Sequence, residues 1–302
     1  MSVKKILITG ASGMLGQALS ERLRPAYELT GISQTGRLQT IPCDLTEDGA
    51  ASKVLEAVTP DLVIHCAAAS NVDACEKDPG TAYRVNALAT RFLAQACAPA
   101  AIPLVHISTD YVFNGQKPTP YVEEDPTFPI NVYGMTKLAA EAFVRCALTD
   151  AVIVRTSWLF GRGNPSNFVS VILKRLLARE DLTVLEDQLN APTSTVDLAA
   201  ALERIAADAL ARRACKAKAE IRTYHLCNRG VATRYEMALE MKRILGLESV
   251  KISRADAAQI QNRSAVRPAR SVMSSARFES DFAVSMRPWP DALADFLKTE
   301  TK

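Results

Sequence analysis

Two stretches of this chain carry side chains able to move a proton. Tyr133-Gly134-Met135-Thr136-Lys137 separates a phenol from an ammonium by four residues, one turn of helix, so both side chains leave the same face. A neighbouring ammonium favours the phenolate. The pair is expected to draw the phenol down from about 10 towards working pH, where it can give a proton to a carbonyl oxygen that receives a hydride. The same lysine can hydrogen-bond a nicotinamide ribose. Upstream, Val105-His106-Ile107-Ser108-Thr109-Asp110-Tyr111-Val112-Phe113 ends an expected core strand, and in parallel sheets ligands bind beyond strand C-termini. A hydroxyl from Ser108 or Thr109 there can hold a substrate carbonyl beside Tyr133.

A hydride needs a carrier, and the N-terminus offers a place for one. Thr9-Gly10-Ala11-Ser12-Gly13-Met14-Leu15-Gly16 sets glycines at the first, fourth and seventh positions of a loop between an expected strand and an expected helix. The first glycines permit backbone angles and close approach that a Cβ blocks, and the third lets the helix lie near the sheet. The helix N-terminus then presents free N–H groups and a positive dipole end to a pyrophosphate. This strand-loop-helix context gives the glycines the meaning of a dinucleotide site.

After the second strand the chain reads Gly31-Ile32-Ser33-Gln34-Thr35-Gly36-Arg37, without the carboxylate that would hold the ribose hydroxyls of NAD. Ser33 and Arg37 suit a 2′-phosphate instead, so NADPH is favoured, with NADH as the alternative. Asp44, followed by Leu45, is placed for the adenine end. Ala67-Ala68-Ala69 are small enough for a cofactor to lie against their backbone or simply to pack in the core. Asn86 either bridges strand and helix backbones or orients a relay water.

These residues need a scaffold, and the hydrophobic pattern supplies one. Short apolar runs at 4–9, 27–33, 62–67, 104–108 and 152–156 alternate with helical stretches at 17–23, 49–57, 81–98 and 133–147. Such alternation specifies α/β architecture, a doubly wound, Rossmann-like parallel sheet covered on both faces. Beyond Ser157 the rhythm becomes irregular, with helical stretches near 168–178 and 195–210, which implies a smaller C-terminal α/β substrate-binding portion. The expected division is 1–155 plus about 193–228 for the dinucleotide, and about 156–192 plus 229–302 for the substrate.

Composition narrows the class without choosing a function. The 302 residues are 48% hydrophobic and 23% charged, which excludes collagen-like, disordered and disulfide-scaffold chains. A formal net charge of +3 is too small to argue for nucleic acid or an anionic membrane. Seven scattered cysteines, an odd number with no closely spaced pair, read as free thiols in a reducing compartment. The apolar run at 6–9 is too short for a signal peptide or a membrane span, so a cytoplasmic location is expected.

Taken together, these stretches resemble the dTDP-4-dehydrorhamnose reductase family of the extended short-chain dehydrogenase/reductases. The likeness runs from the glycine loop through Ala67-Ala68-Ala69 with Val72-Asp73, Ser108 to Phe113, Asn131-Val132-Tyr133-Gly134 with Lys137, and Arg155-Thr156-Ser157-Trp158. It continues through Asp187-Gln188, Ala191-Pro192-Thr193, Tyr224-His225-Leu226 and Arg267-Pro268 with Ser271, nearly the whole chain. The resemblance implies NAD(P)H-dependent reduction of the C4 ketone of a nucleotide-linked 6-deoxy-4-keto-hexose, with Thr109, Tyr133 and Lys137 as the catalytic triad. It maps Val72, Tyr111 and Trp158 onto the sugar, with Ser108, Asp110 and Arg267 also assigned to substrate.

Some members of that family dimerise through a metal held partly by a glutamate just after the glycine loop. Ala18 stands there in this chain, so no structural metal is expected, and a homodimer is left open. Arg254, Arg263, Arg267, Arg270, Arg277 and Arg287 outnumber nearby carboxylates; one or two can grip a diphosphate, while a solvated face explains most of them. Tyr111 occupies the position where the related 4,6-dehydratases resemble a Thr-Asp-Glu pattern, which argues against that class. A nucleotide-sugar epimerase and a regulatory subunit resembling that of methionine adenosyltransferase stand as alternatives.

Overall fold

The computed structural model describes residues 3–255 and 264–301. The first half alternates β1 (Lys5–Thr9), α1 (Met14–Leu23), β2 (Glu28–Ser33), β3 (Ile41–Pro42), α2 (Ala50–Val58), β4 (Leu62–His65), α3 (Val72–Lys77), α4 (Pro79–Tyr83), α5 (Ala89–Cys97), β5 (Leu104–Thr109), α6 (Val132–Ala147) and β6 (Ala151–Thr156). The second half adds β7 (Leu159–Phe160), α7 (Phe168–Leu177), β8 (Leu182–Leu185), β9 (Thr193–Ser194), α8 (Thr195–Ala214), β10 (Ile221–His225), α9 (Arg234–Ile244), β11 (Ile252–Ala255), α10 (Ala276–Phe282) and α11 (Trp289–Glu300).

Among the described residues, seven strands form one parallel sheet in the order β10-β6-β5-β4-β1-β2-β3. Its central strands are continuous apolar runs because helices cover both faces. On one face α1 and α8 bring Leu19, Leu23, Leu202 and Ile205 against Ile6, Ile8 and Ile64. On the other, α2, α5 and α6 bring Val54, Leu55, Leu93 and Val144 against Leu7, Val63 and Ile153. Each such fully buried side chain contributes roughly 1.5–3 kcal/mol relative to exposure. A separate cluster, including Phe160, Leu176, Met241 and Leu293, forms the core of the second portion. There β8 pairs with β11, and β7 with β9.

The helix expected over 81–98 is interrupted. Asp78 caps a short helix through the Thr81 amide, and Arg84–Leu88 then widens into a π turn before α5 begins. Such turns aim side chains that a regular helix would misplace. Here the side chain aimed is Asn86, which accepts from the Ala69 amide at 2.8 Å and donates to the Thr136 hydroxyl at 3.0 Å. Asn86 also donates to the Ala69 carbonyl at 3.1 Å, so it holds that stretch of backbone through both of its groups.

Candidate active site

At the end of β1, Gly10 adopts φ 65°, and a Cβ there would lie 2.7 Å from the Ala67 amide nitrogen. Gly16 is as tightly placed, with its ideal Cβ 2.3 Å from the Gly10 carbonyl oxygen. The third glycine thus lets the start of α1 lie closely on the loop that leaves β1. No side chain caps α1, whose N-cap is Gly13, so its first N–H groups face the loop unengaged by a capping side chain. This cradle fits a dinucleotide pyrophosphate.

The loop opens into a cleft of about 680 Å³ that also takes in Ala68, Val72, Ser108, Thr109, Asp110, Tyr111, Tyr133, Lys137, Trp158 and Arg267. The expected catalytic residues arrive on two elements. Thr109 ends β5 and Asp110 follows it, while Tyr133 and Lys137 lie on α6, whose start is capped by Asn131 through the Gly134 amide at 2.8 Å. Gly134 is required there because a Cβ would meet the Tyr111 carbonyl oxygen at 2.1 Å. This contact draws α6 onto the strand end and brings the Tyr133 ring edge-on to Tyr111 at 5.8 Å. The Thr109 side chain lies close enough to the Tyr133 phenol to favour its ionised form, against burial.

The charges differ from the expected phenolate and ammonium pair. Burial pushes the Tyr133 phenol above its ordinary value. Lys137 Nζ instead donates to the Ile107 carbonyl at 2.6 Å and lies 3.4 Å from His106 Nε2. Burial holds its ammonium down to about 8, although Glu141 favours the charge. The sequence argument weighed proximity and omitted desolvation, which is the largest effect on both groups.

Several expected ligand residues are engaged by protein. The Ser33 hydroxyl meets Thr40 Oγ1 at 2.6 Å. Asp44 accepts from Gln34, the Thr46 amide and the Thr46 hydroxyl, and Leu45 is buried. Ser108 donates to Glu141 at 2.6 Å, so Thr109 is the strand-end hydroxyl beside Tyr133. Arg267 forms a two-pronged pair with Asp73, at 2.5 Å for the closer contact, which holds the Asp73 carboxyl down to about 2. Arg254, Arg277 and Arg287 pair with carboxylates away from the cleft. Arg270 does not line the cleft, and Arg263 lies outside the described residues. Ser12 and Arg37 line a neighbouring groove.

Sequence reasoning missed four features. Glu141 forms a buried two-pronged ion pair with Arg155 at 2.9 and 2.7 Å, and its place one helical turn after Lys137 was the available signal. His106 stacks on its cross-strand partner His65 at 5.3 Å, and burial keeps both rings neutral. Arg234, at the start of α9, lines the cleft with its guanidinium 5.2 Å from the Trp158 ring and 5.1 Å from Phe168. Trp158 itself has φ 42°, a conformation that costs a bulky residue on the order of 1–3 kcal/mol and that concentrates at ligand sites.

The model of the RmlD substrate binding domain matches residues 4–302. The chain belongs to the RmlD family, that of the dTDP-4-dehydrorhamnose reductases. Within this family the chain is 40% identical to the dTDP-4-dehydrorhamnose reductase of Streptomyces griseus, over 96% of this chain and 91% of that one. It is 36% identical to the Mycolicibacterium smegmatis reductase, over 97% of this chain and 84% of that one. The crystal structure of the Bacillus anthracis dTDP-4-dehydrorhamnose reductase, solved in complex with NADP, superposes with a TM-score of 0.89 at 31% identity, covering 99% of this chain and 100% of that one. The RmlD-family cleft here therefore sits on a doubly wound α/β fold.

Proposed function

We propose that this chain is an NADPH-dependent reductase of a nucleotide-linked 4-keto-6-deoxy sugar, a dTDP-4-dehydrorhamnose reductase whose product is dTDP-L-rhamnose. The observation that carries the reading is the meeting of Thr109, Tyr133 and Lys137 in one cleft with the glycine loop. Gly10, Gly13, Met14, Leu15 and Gly16 would hold the dinucleotide, which when bound supplies a hydride. Thr109 donates to Asp110 at 3.0 Å and accepts from the Tyr111 amide at 3.2 Å, which fixes its hydroxyl beside the phenol. Because burial favours the protonated phenol, Tyr133 enters the reaction as an acid and gives its proton to the ketone oxygen. Lys137 stands behind it as a buried cation anchored on β5. Val72, Tyr111 and Trp158 flank the sugar, and an aromatic face against a sugar ring excludes water from the reacting carbon.

A core of its own for most of the second portion supports reading 1–155 plus about 193–228 as the cofactor part, with Phe278 and Met286 of 229–302 packed on the sheet's core. Seven unpaired cysteines support a reducing, cytoplasmic setting. The test is NADPH oxidation with a dTDP-4-keto-6-deoxy sugar. Tyr133→Phe should lower turnover by about 10²–10⁴-fold while dinucleotide affinity holds, and near-normal turnover would overturn the assignment.

A further inference from the structure

The glycine loop borders a second groove, of about 640 Å³, whose two walls come from different parts of the chain. Ser12 and Arg37 stand on one wall, and Arg162 and Lys174 on the other, with Glu300 at the edge. The walls are pinned close together. A Cβ at Gly163, where φ is 96°, would fall 2.3 Å from Gln17 Nε2, and Gln17 Nε2 itself donates to the Ser12 carbonyl at 2.9 Å. The loop between β7 and α7 thus lies directly on the first turn of α1, and it carries Arg162 to the mouth of the cofactor cradle.

The charge in this groove is unbalanced. Three cations, Arg37, Arg162 and Lys174, face one carboxylate among the lining residues. Glu300 accepts from Arg162 Nε at 2.7 Å, and the Thr299 carbonyl accepts from Nη2 at 3.2 Å, so the end of α11 braces the guanidinium. The stretch after β2 has no carboxylate for a ribose diol, and the Ser33 hydroxyl is occupied by Thr40. Cations at this position of the fold meet the 2′-phosphate that distinguishes NADP from NAD.

We propose that Arg162, reaching over from the second portion of the chain, grips the 2′-phosphate of the adenosine ribose opposite Arg37. Cofactor choice is then set jointly by the two portions, and the ligand recognised is a phosphomonoester dianion on a ribose. A guanidinium supplies two N–H donors to such an oxyanion. The inference rests on the dinucleotide reading above.

The probes are adenosine 2′,5′-bisphosphate and 5′-AMP, titrated calorimetrically into the full chain, so that the readout is binding rather than turnover. The intact chain should prefer the bisphosphate by about tenfold or more, the effect expected of a charge-assisted hydrogen bond. Arg162→Ala should remove about tenfold of bisphosphate affinity and leave 5′-AMP unchanged. Glu300→Gln, which releases the brace but keeps the arginine, should retain the preference. Loss of both ligands in parallel on Arg162→Ala, or of neither, would overturn the proposal. Equal binding of the two probes by the intact chain would overturn it too, yet leave an NADH-using reductase standing. Failure of the intact chain to bind either probe would overturn the dinucleotide reading along with this one.

Discussion

Asp110 Oδ2 accepts a hydrogen bond from the Ser271 hydroxyl at 2.5 Å across 161 residues of sequence. The same oxygen accepts from Asn190 Nδ2 at 2.7 Å, and Oδ1 accepts from Thr109. One buried carboxylate therefore ties the Thr109 hydroxyl to the loops that carry Asn190 and Ser271. Burial raises this carboxyl to about 6 despite its three donors. The folded state consequently holds a proton that the unfolded chain has already lost between about pH 4 and pH 6. This group's contribution to stability is present below that window and is lost as pH rises through it. Asp110→Asn cannot titrate, so the wild type should lose on the order of 2 kcal/mol relative to the variant between about pH 4.5 and pH 7. Urea midpoints at the two pH values measure this, and parallel curves would refute it.

Lys137 supplies a second pH signature. Its ammonium is held down to about 8, so the cation is present below that pH and is lost as pH rises through it. kcat/KM, which reports the free enzyme, should fall on an alkaline limb near pH 8. Lys137→Met should lower turnover and abolish that limb. A limb that persists unchanged in the variant assigns the titration to another group.

Gly10 should tolerate no side chain. Its φ of 65° and its contact with the Ala67 backbone mean that Gly10→Ala combines backbone strain with a clash, at a cost of about 2 kcal/mol or more. Thermal melting should show the loss, and dinucleotide titration should show affinity reduced more than about tenfold. Wild-type affinity in a stable variant would show that the cradle is not the site.

Glu141 and Arg155 form an ion pair whose side chains are only 2% and 5% exposed. Removing one partner leaves a buried charge, and Glu141→Gln should destabilise the fold by about 3 kcal/mol. Replacing both, Glu141→Leu with Arg155→Met, should recover most of that loss. Denaturant titration of the two variants decides the matter, and equal losses would mean that packing rather than charge is at stake.

Much of the architecture was legible because it rests on local periodicity. Apolar runs ending in glycine and alternating with helical faces specify parallel strands and crossover helices wherever they occur, and β1, β2, β4, β5 and β6 lie within a few residues of the expected positions. The break at Arg84–Leu88 was not legible, because a π turn differs from a helix by one hydrogen-bond step and leaves no compositional mark. The likeness to known reductases brought Thr109, Tyr133 and Lys137 forward as a set, and their convergence in one cleft is a property of the fold.

From the sequence alone came the type of sheet, the glycine loop between β1 and α1 and the placing of Tyr133 and Lys137 one turn apart, since each depends on neighbours within one or two turns. Only the tertiary structure decided which hydroxyl remains beside Tyr133, what Lys137 touches and which cations line the groove beside the glycine loop. Those outcomes depend on partners such as Glu141, Ile107 and Glu300 and on how much water burial removes. Desolvation is a property of the packed whole, and no spacing along the chain encodes it.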